Sequence, residues 1–158
     1  MTTDQVVLSD PTGATVFPRA PLASAEVGCA GLPQPSPNPG SAPPAYLDLR
    51  SEVRLSNPST ELIMIGGSTG NNGILFYGFA PTNLPLGTGN LCVTGTLARA
   101  AFGSATGGQT TILLDHGTSP VASGPSAITP GTPVHFQYWF RVPGGSHTTN
   151  SLVVTYCP

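Results

Sequence analysis

Over much of residues 45–158, apolar and polar side chains alternate with a period of two, the pattern of strands that bury one face. In residues 45–55, Tyr46, Asp48, Arg50, Glu52 and Arg54 alternate with Leu47, Leu49, Val53 and Leu55, with one polar break at Ser51, so a half-buried strand is predicted. Asn57-Pro58 then turns the chain. Further strands are predicted over residues 61–65, 74–79, 91–102 (one or two strands) and 110–115, with a glycine-rich loop over 66–73 and another loop over 81–90. Two runs rich in aromatic and β-branched residues, 128–141 and 151–158, flank a Gly144-Gly145 turn and read as a closing antiparallel hairpin. Alternation sets Phe136, Tyr138 and Phe140 against Gln137, Trp139 and Arg141. Burying a large apolar side chain is worth about 1.5–3 kcal/mol, so the aromatic trio is expected inside and Trp139, with Arg141 beside it, outside as a contact pair.

The 20 glycines and 18 prolines exclude long helices over most of the chain. The class is therefore all-β, and about seven to nine short strands separated by turn signals describe a β-sandwich, of jelly-roll or immunoglobulin-like type. A length of 158 residues fits one such domain. Its N-terminal part differs. Residues 1–27 hold short apolar pieces broken by prolines, and residues 32–44 hold six prolines, which favours an extended polyproline strap outside any ladder. We expect residues 1–44 to form an extended arm and residues 45–158 the sandwich. The arm is too proline-rich and charge-poor to make its own core, so Val6, Val7, Leu8, Val16 and Phe17 should bury themselves on another copy, giving a homo-oligomer.

Charged residues make up 8% of the chain, and every basic one is arginine: Arg19, Arg50, Arg54, Arg99 and Arg141. With a formal charge of −2 and no basic stripe, nucleic acid is not an expected partner. No apolar run approaches the roughly 20 residues that span a bilayer, so membrane insertion is not expected either. The N-terminus lacks the basic and apolar regions of a secretion signal. Cys29, Cys92 and Cys157 allow one internal disulfide in three pairings. Cys92 and Cys157 both lie in strand-like runs, which favours that pair, and no spacing among the three matches a metal knuckle.

Catalytic patterns are few. Gly66-Gly-Ser-Thr-Gly70 satisfies G-x-S-x-G, and Asp115 followed by His116, His135 and His147 gives the chain order of a hydrolase triad. That mechanism needs Ser68 on a strand-to-helix elbow, whereas Asn-Asn-Gly and a strand follow, so a hairpin loop is expected. Asp115-His116-Gly117 lacks further ligands at fixed spacing and reads as turn chemistry. His135 is expected to face solvent or a neighbouring subunit, and His147 to lie in a turn. Asp48 and Glu52, about 13 Å apart by strand rise, are too far separated for a retaining glycosidase pair. No catalytic, cofactor or metal site is expected.

Four blocks, Gly89-Asn-Leu-Cys-Val-Thr-Gly95, Ile128-Thr-Pro-Gly-Thr132, Phe136-Gln-Tyr-Trp-Phe-Arg141 and Leu152-Val-Val-Thr-Tyr-Cys-Pro158, resemble in order and spacing the C-terminal module of large secreted proteins of environmental bacteria. Such modules show GNGxLCVGG, FQxWYRD and VTFCP stretches. The likeness spans roughly residues 29–158. Val142 departs from the usual Asp after the Trp-containing run, and His147-Thr-Thr-Asn-Ser151 replaces the usual Asn-Phe-Ser-Asp-Ala. The resemblance implies an extracellular β module and carries no active site. Together these readings predict a non-catalytic structural subunit of a bacterial surface layer, filament or particle shell. The alternative is a polysaccharide-binding or adhesion module, in which exposed aromatics would stack on sugar rings.

Overall fold

The computed structural model describes residues Gln34–Ser36, 45–66 and 71–157. Among these there is no helix, and eleven strands follow in order: β1 (Gln34–Ser36), β2 (Tyr46–Leu49), β3 (Ser59–Ile65), β4 (Asn72–Gly78), β5 (Ala80–Leu86), β6 (Gly89–Thr94), β7 (Ala98–Ser104), β8 (Gln109–Asp115), β9 (Pro133–Val142), β10 (Gly145–Thr148) and β11 (Ser151–Thr155). The chain is an all-β sandwich. Its larger sheet runs β1-β11-β9-β4-β7 with β10 also on β9, its smaller sheet runs β2-β3-β8, and β5-β6 form a separate ribbon.

The alternation read from the sequence is what builds the core. Leu75 and Tyr77 from β4, Phe136, Tyr138 and Phe140 from β9, and Leu152 and Val154 from β11 meet Leu47, Leu62, Met64, Ile112 and Leu114 of the smaller sheet in one cluster. The aromatic trio of β9 faces inward as expected. Two core phenols are satisfied there: Tyr138 of β9 donates to the Gly103 carbonyl at 2.9 Å and Tyr77 of β4 to the Ser126 carbonyl at 2.7 Å. The second bond, with buried Val121 and Ile128, ties the β8–β9 connection over one end of the sandwich. Gly73 makes room for the trio, because a Cβ there would lie 2.5 Å from the Tyr138 ring.

The strand predictions needed several corrections. The strand foreseen over 45–55 stops at Leu49, so Asp48 and Glu52 share no strand. The loop foreseen over 81–90 is largely β5, which returns through a tight Gly87-Thr88 turn with Gly87 at a φ of 62°. The closing hairpin has β10 as its immediate return strand. Within the proline-rich strap, Gln34–Ser36 joins the ladder, pairing antiparallel with Ser151–Val153 of β11. A proline-bearing strand is tolerated there because β1 is an edge, where a missing N–H costs no ladder bond on the open side.

Candidate functional site

Three of the five strands along the larger sheet's path set the outer surface of the molecule opposite the core. Cross-strand pairing lines up Phe102 of β7, Ile74 of β4, Trp139 of β9 and Thr148 of β10 in a single row. Phe76 and Arg99 form the next row, next to a register shift in β4–β7 pairing that leaves Ala100 unpaired. Phe102 is 77% exposed, while Ile74, Phe76 and Trp139 are half-buried against their neighbours. The Arg141 guanidinium lies 5.7 Å from the Trp139 ring centroid, a cation–π contact that presents charge and aromatic surface together. Trp139 and Arg141 therefore stand on the outward face, as the alternation predicted, and Phe102, Ile74 and Phe76 join them. These last three could not be assigned from sequence, because which β4 and β7 residues flank Trp139 depends on pairing and on the irregularity at Leu75/Phe76.

A wall borders this platform. The third member of the outward set, Gln137, is fully buried because β6 lies over it. Its Oε1 accepts from the Cys92 N–H at 2.9 Å, and its Nε2 donates to the Asn90 and Thr149 carbonyls at 2.8 Å each. Thr148 Oγ1 adds a bond to the Asn90 carbonyl. One glutamine thus docks the β5-β6 ribbon on the sheet. Burial raises the Cys92 thiol above its ordinary pKa, and its hydrogen bond with Gln137 opposes part of that rise.

The expected Cys92–Cys157 disulfide is not formed. Cys92 is a buried free thiol on the ribbon. Cys157 follows β11 and bridges Arg54, its N–H donating to the Val53 carbonyl and its carbonyl accepting from the Leu55 N–H, both at 3.2 Å. Both cysteines lie in extended chain, as read, but the two segments pair with different neighbours. Cys29, Ser68 and the arm residues Val6, Val7, Leu8, Val16 and Phe17 lie outside the described residues.

The histidines and carboxylates hold structure. Asp115 Oδ1 accepts from the Gly117 N–H at 2.7 Å, the turn chemistry expected of Asp-His-Gly. His116 is latched between Thr60 Oγ1 at 2.9 Å and the Asn57 carbonyl at 2.8 Å. His147 lies in β10 rather than a turn, buried, with Nδ1 bonded to Thr88 Oγ1. His135, expected outside, is half-buried, and its Nδ1 is buried without a partner among the described residues. Burial lowers its pKa. Among the described residues no group of three or more His, Cys, Asp or Glu could hold a metal ion, and no helix is long and apolar enough to cross a membrane.

The smaller sheet has an outward face as well. Tyr46 of β2 pairs with Ile65 of β3, and Glu61 of β3 with Leu113 of β8; the three apolar members, Tyr46, Ile65 and Leu113, are 55%, 40% and 61% exposed. No family profile, curated protein or solved structure matches this chain.

Proposed function

We propose that this chain is a non-catalytic structural subunit that assembles with copies of itself outside the cell or on a bacterial surface, in a layer, filament or particle shell. The observation that carries this reading is that both outer faces of the sandwich present large apolar side chains, exposed Phe102 with half-buried Trp139 on one and exposed Tyr46, Ile65 and Leu113 on the other. A single-chain protein gains nothing from two such faces, whereas a subunit contacted on both sides buries them. Extracellular placement is supported by the four blocks that resemble secreted bacterial modules and by a surface made polar with Ser, Thr and Asn in place of lysine. In this reading the part of the arm before β1 adds to the contact by strapping onto a neighbour, β1 itself being paired with β11 of its own chain.

Sedimentation of the full chain over a wide concentration range tests the proposal, with a chain lacking residues 1–30 run in parallel. The full chain should associate as concentration rises, and the truncated chain should associate more weakly. Equal masses for the two would remove the arm from the assembly. A monomer at every concentration that is pulled down by an insoluble polysaccharide would replace this reading with the sugar-binding one, for which the row Trp139, Ile74 and Phe102 is the platform.

A further inference from the structure

The two outer faces carry opposite charge, and this determines how copies would meet. On the larger sheet the platform bears Arg99 and Arg141, both exposed, and none of the described carboxylates. On the smaller sheet Asp48, Glu61 and Asp115 point outward, alternating with the buried Leu47, Leu62 and Leu114; among the described residues only Arg50, just past β2, brings positive charge beside them. Apolar side chains sit within each charged set: Phe102, Ile74 and Trp139 among the arginines, Tyr46, Ile65 and Leu113 among the carboxylates.

Resting on the self-assembly reading above, we infer that copies of this chain stack head to tail, the arginine-bearing face of one sandwich on the carboxylate-bearing face of the next. Like faces brought together would oppose charges of the same sign over a desolvated contact, which disfavours a two-fold dimer; unlike faces are complementary in both charge and apolar content. The faces lie on opposite sides of one core, so a contact between unlike faces leaves one of each open at the ends. A heterologous contact of this kind does not close on two subunits and propagates as a filament or ring. The smaller face sets the strength. Two strands of seven residues and one of four, at about 4.8 Å spacing and about 3.3 Å per residue, give a footprint of roughly 300 Å², below the ~800 Å² per partner of a stable complex. Each contact is therefore weak, and stacks grow only at high concentration.

Two doubly substituted chains decide the matter. Arg99→Glu with Phe102→Glu blocks one face; Asp48→Lys with Leu113→Lys blocks the other. All four side chains are exposed, and an unchanged cooperative melt and near-ultraviolet dichroism confirm that each variant folds. The unsubstituted chain should sediment as species larger than a dimer, and more weakly associated at 1 M salt, where charges are screened within about 3 Å. Each variant alone should be a monomer. An equimolar mixture should associate again through the one intact face that each partner brings, as one-to-one dimers that the reversed charges of the two altered faces extend into alternating stacks. A homodimer of either variant alone would overturn head-to-tail stacking while leaving self-assembly standing. Polymers of both variants alone would show that neither face is the contact. A monomeric unsubstituted chain at all concentrations would defeat the assembly reading itself, and the stacking with it.

Discussion

At the residue scale, the most consequential side chain is one with no chemistry to perform. Asn150 Oδ1 accepts from the Leu47 N–H at 2.8 Å and its Nδ2 donates to the Leu47 carbonyl at 3.2 Å, so the amide takes the place of a strand beside β2 and joins the two sheets. Both Leu47 groups are buried, and each buried polar group left without a partner costs about 1–3 kcal/mol. Asn150→Ala should therefore lower the melting temperature by about 5 °C or more, since 1 kcal/mol is worth about 2–4 °C in a chain of this size. Asn150→Asp keeps an acceptor for the Leu47 N–H but sets a buried carboxylate against the Leu47 and Ser151 carbonyls, so it should destabilise at least as much. A melt of Asn150→Ala within 1 °C of the parent, about the error of the measurement, would show that the sheets are joined by packing alone. The run His147 to Ser151 is polar in sequence and fully buried in the fold, which no alternation pattern foretells.

Element by element, two departures from expectation rest on side chains that stand in for backbone partners. β10 and β11 lie on the same edge of β9, but their registers differ by one residue: Thr148 pairs with Trp139, and Leu152 with Phe136. The extra residue falls at Thr149-Asn150, a bulge that turns polar side chains into the sandwich. Thr149 repairs the ladder there, its N–H donating to the Tyr138 carbonyl at 2.9 Å and its Oγ1 accepting from the Tyr138 N–H at 3.0 Å. The ribbon β5-β6 depends on a similar substitution of side chain for backbone through Gln137. Gln137→Leu keeps the volume and removes the acceptor for the Cys92 N–H, so the ribbon should loosen while the sandwich remains folded. Alkylation of the Cys92 thiol, slow in the parent because burial shields it and raises its pKa, should then accelerate. Labelling at the parent rate would mean that the ribbon is held by apolar contacts such as buried Val93 instead.

For the whole molecule, the buried phenols make stability depend on alkali. Tyr77 and Tyr156 sit in the core and burial pushes their pKa from 10.0 up to about 12; Tyr138 is raised in the same direction, also by burial. Above pH 10 the unfolded chain ionises these groups while the folded chain keeps them protonated, so the folded state holds more protons and loses stability as pH rises. The contribution is complete below about pH 10 and disappears between about pH 10 and 12. Melting temperature should be flat with respect to these groups at lower pH and fall steeply through that window, with phenolate absorbance appearing together with unfolding. Phenolate absorbance from these tyrosines near pH 10 in a chain that is still folded would contradict their burial.

The sequence by itself determined the class, the inward and outward sides of the closing strand and most strand positions, because period-two alternation and turn residues are local properties that need no knowledge of neighbours. Phe136, Tyr138 and Phe140 could be placed inside, and Trp139 and Arg141 outside, from their order alone. Tertiary structure alone decided which segments lie side by side. It separated Cys92 from Cys157, brought a proline-bearing strand to the edge of β11, covered Gln137 with β6 and assembled Phe102, Ile74 and Trp139 into one row. It also sorted the charges, setting Arg99 and Arg141 on one outer face and Asp48, Glu61 and Asp115, with Arg50, on the other, from positions interleaved along the chain. Pairing of this kind is set by long-range registers and by side chains that replace backbone partners, and neither leaves a periodic trace in the sequence.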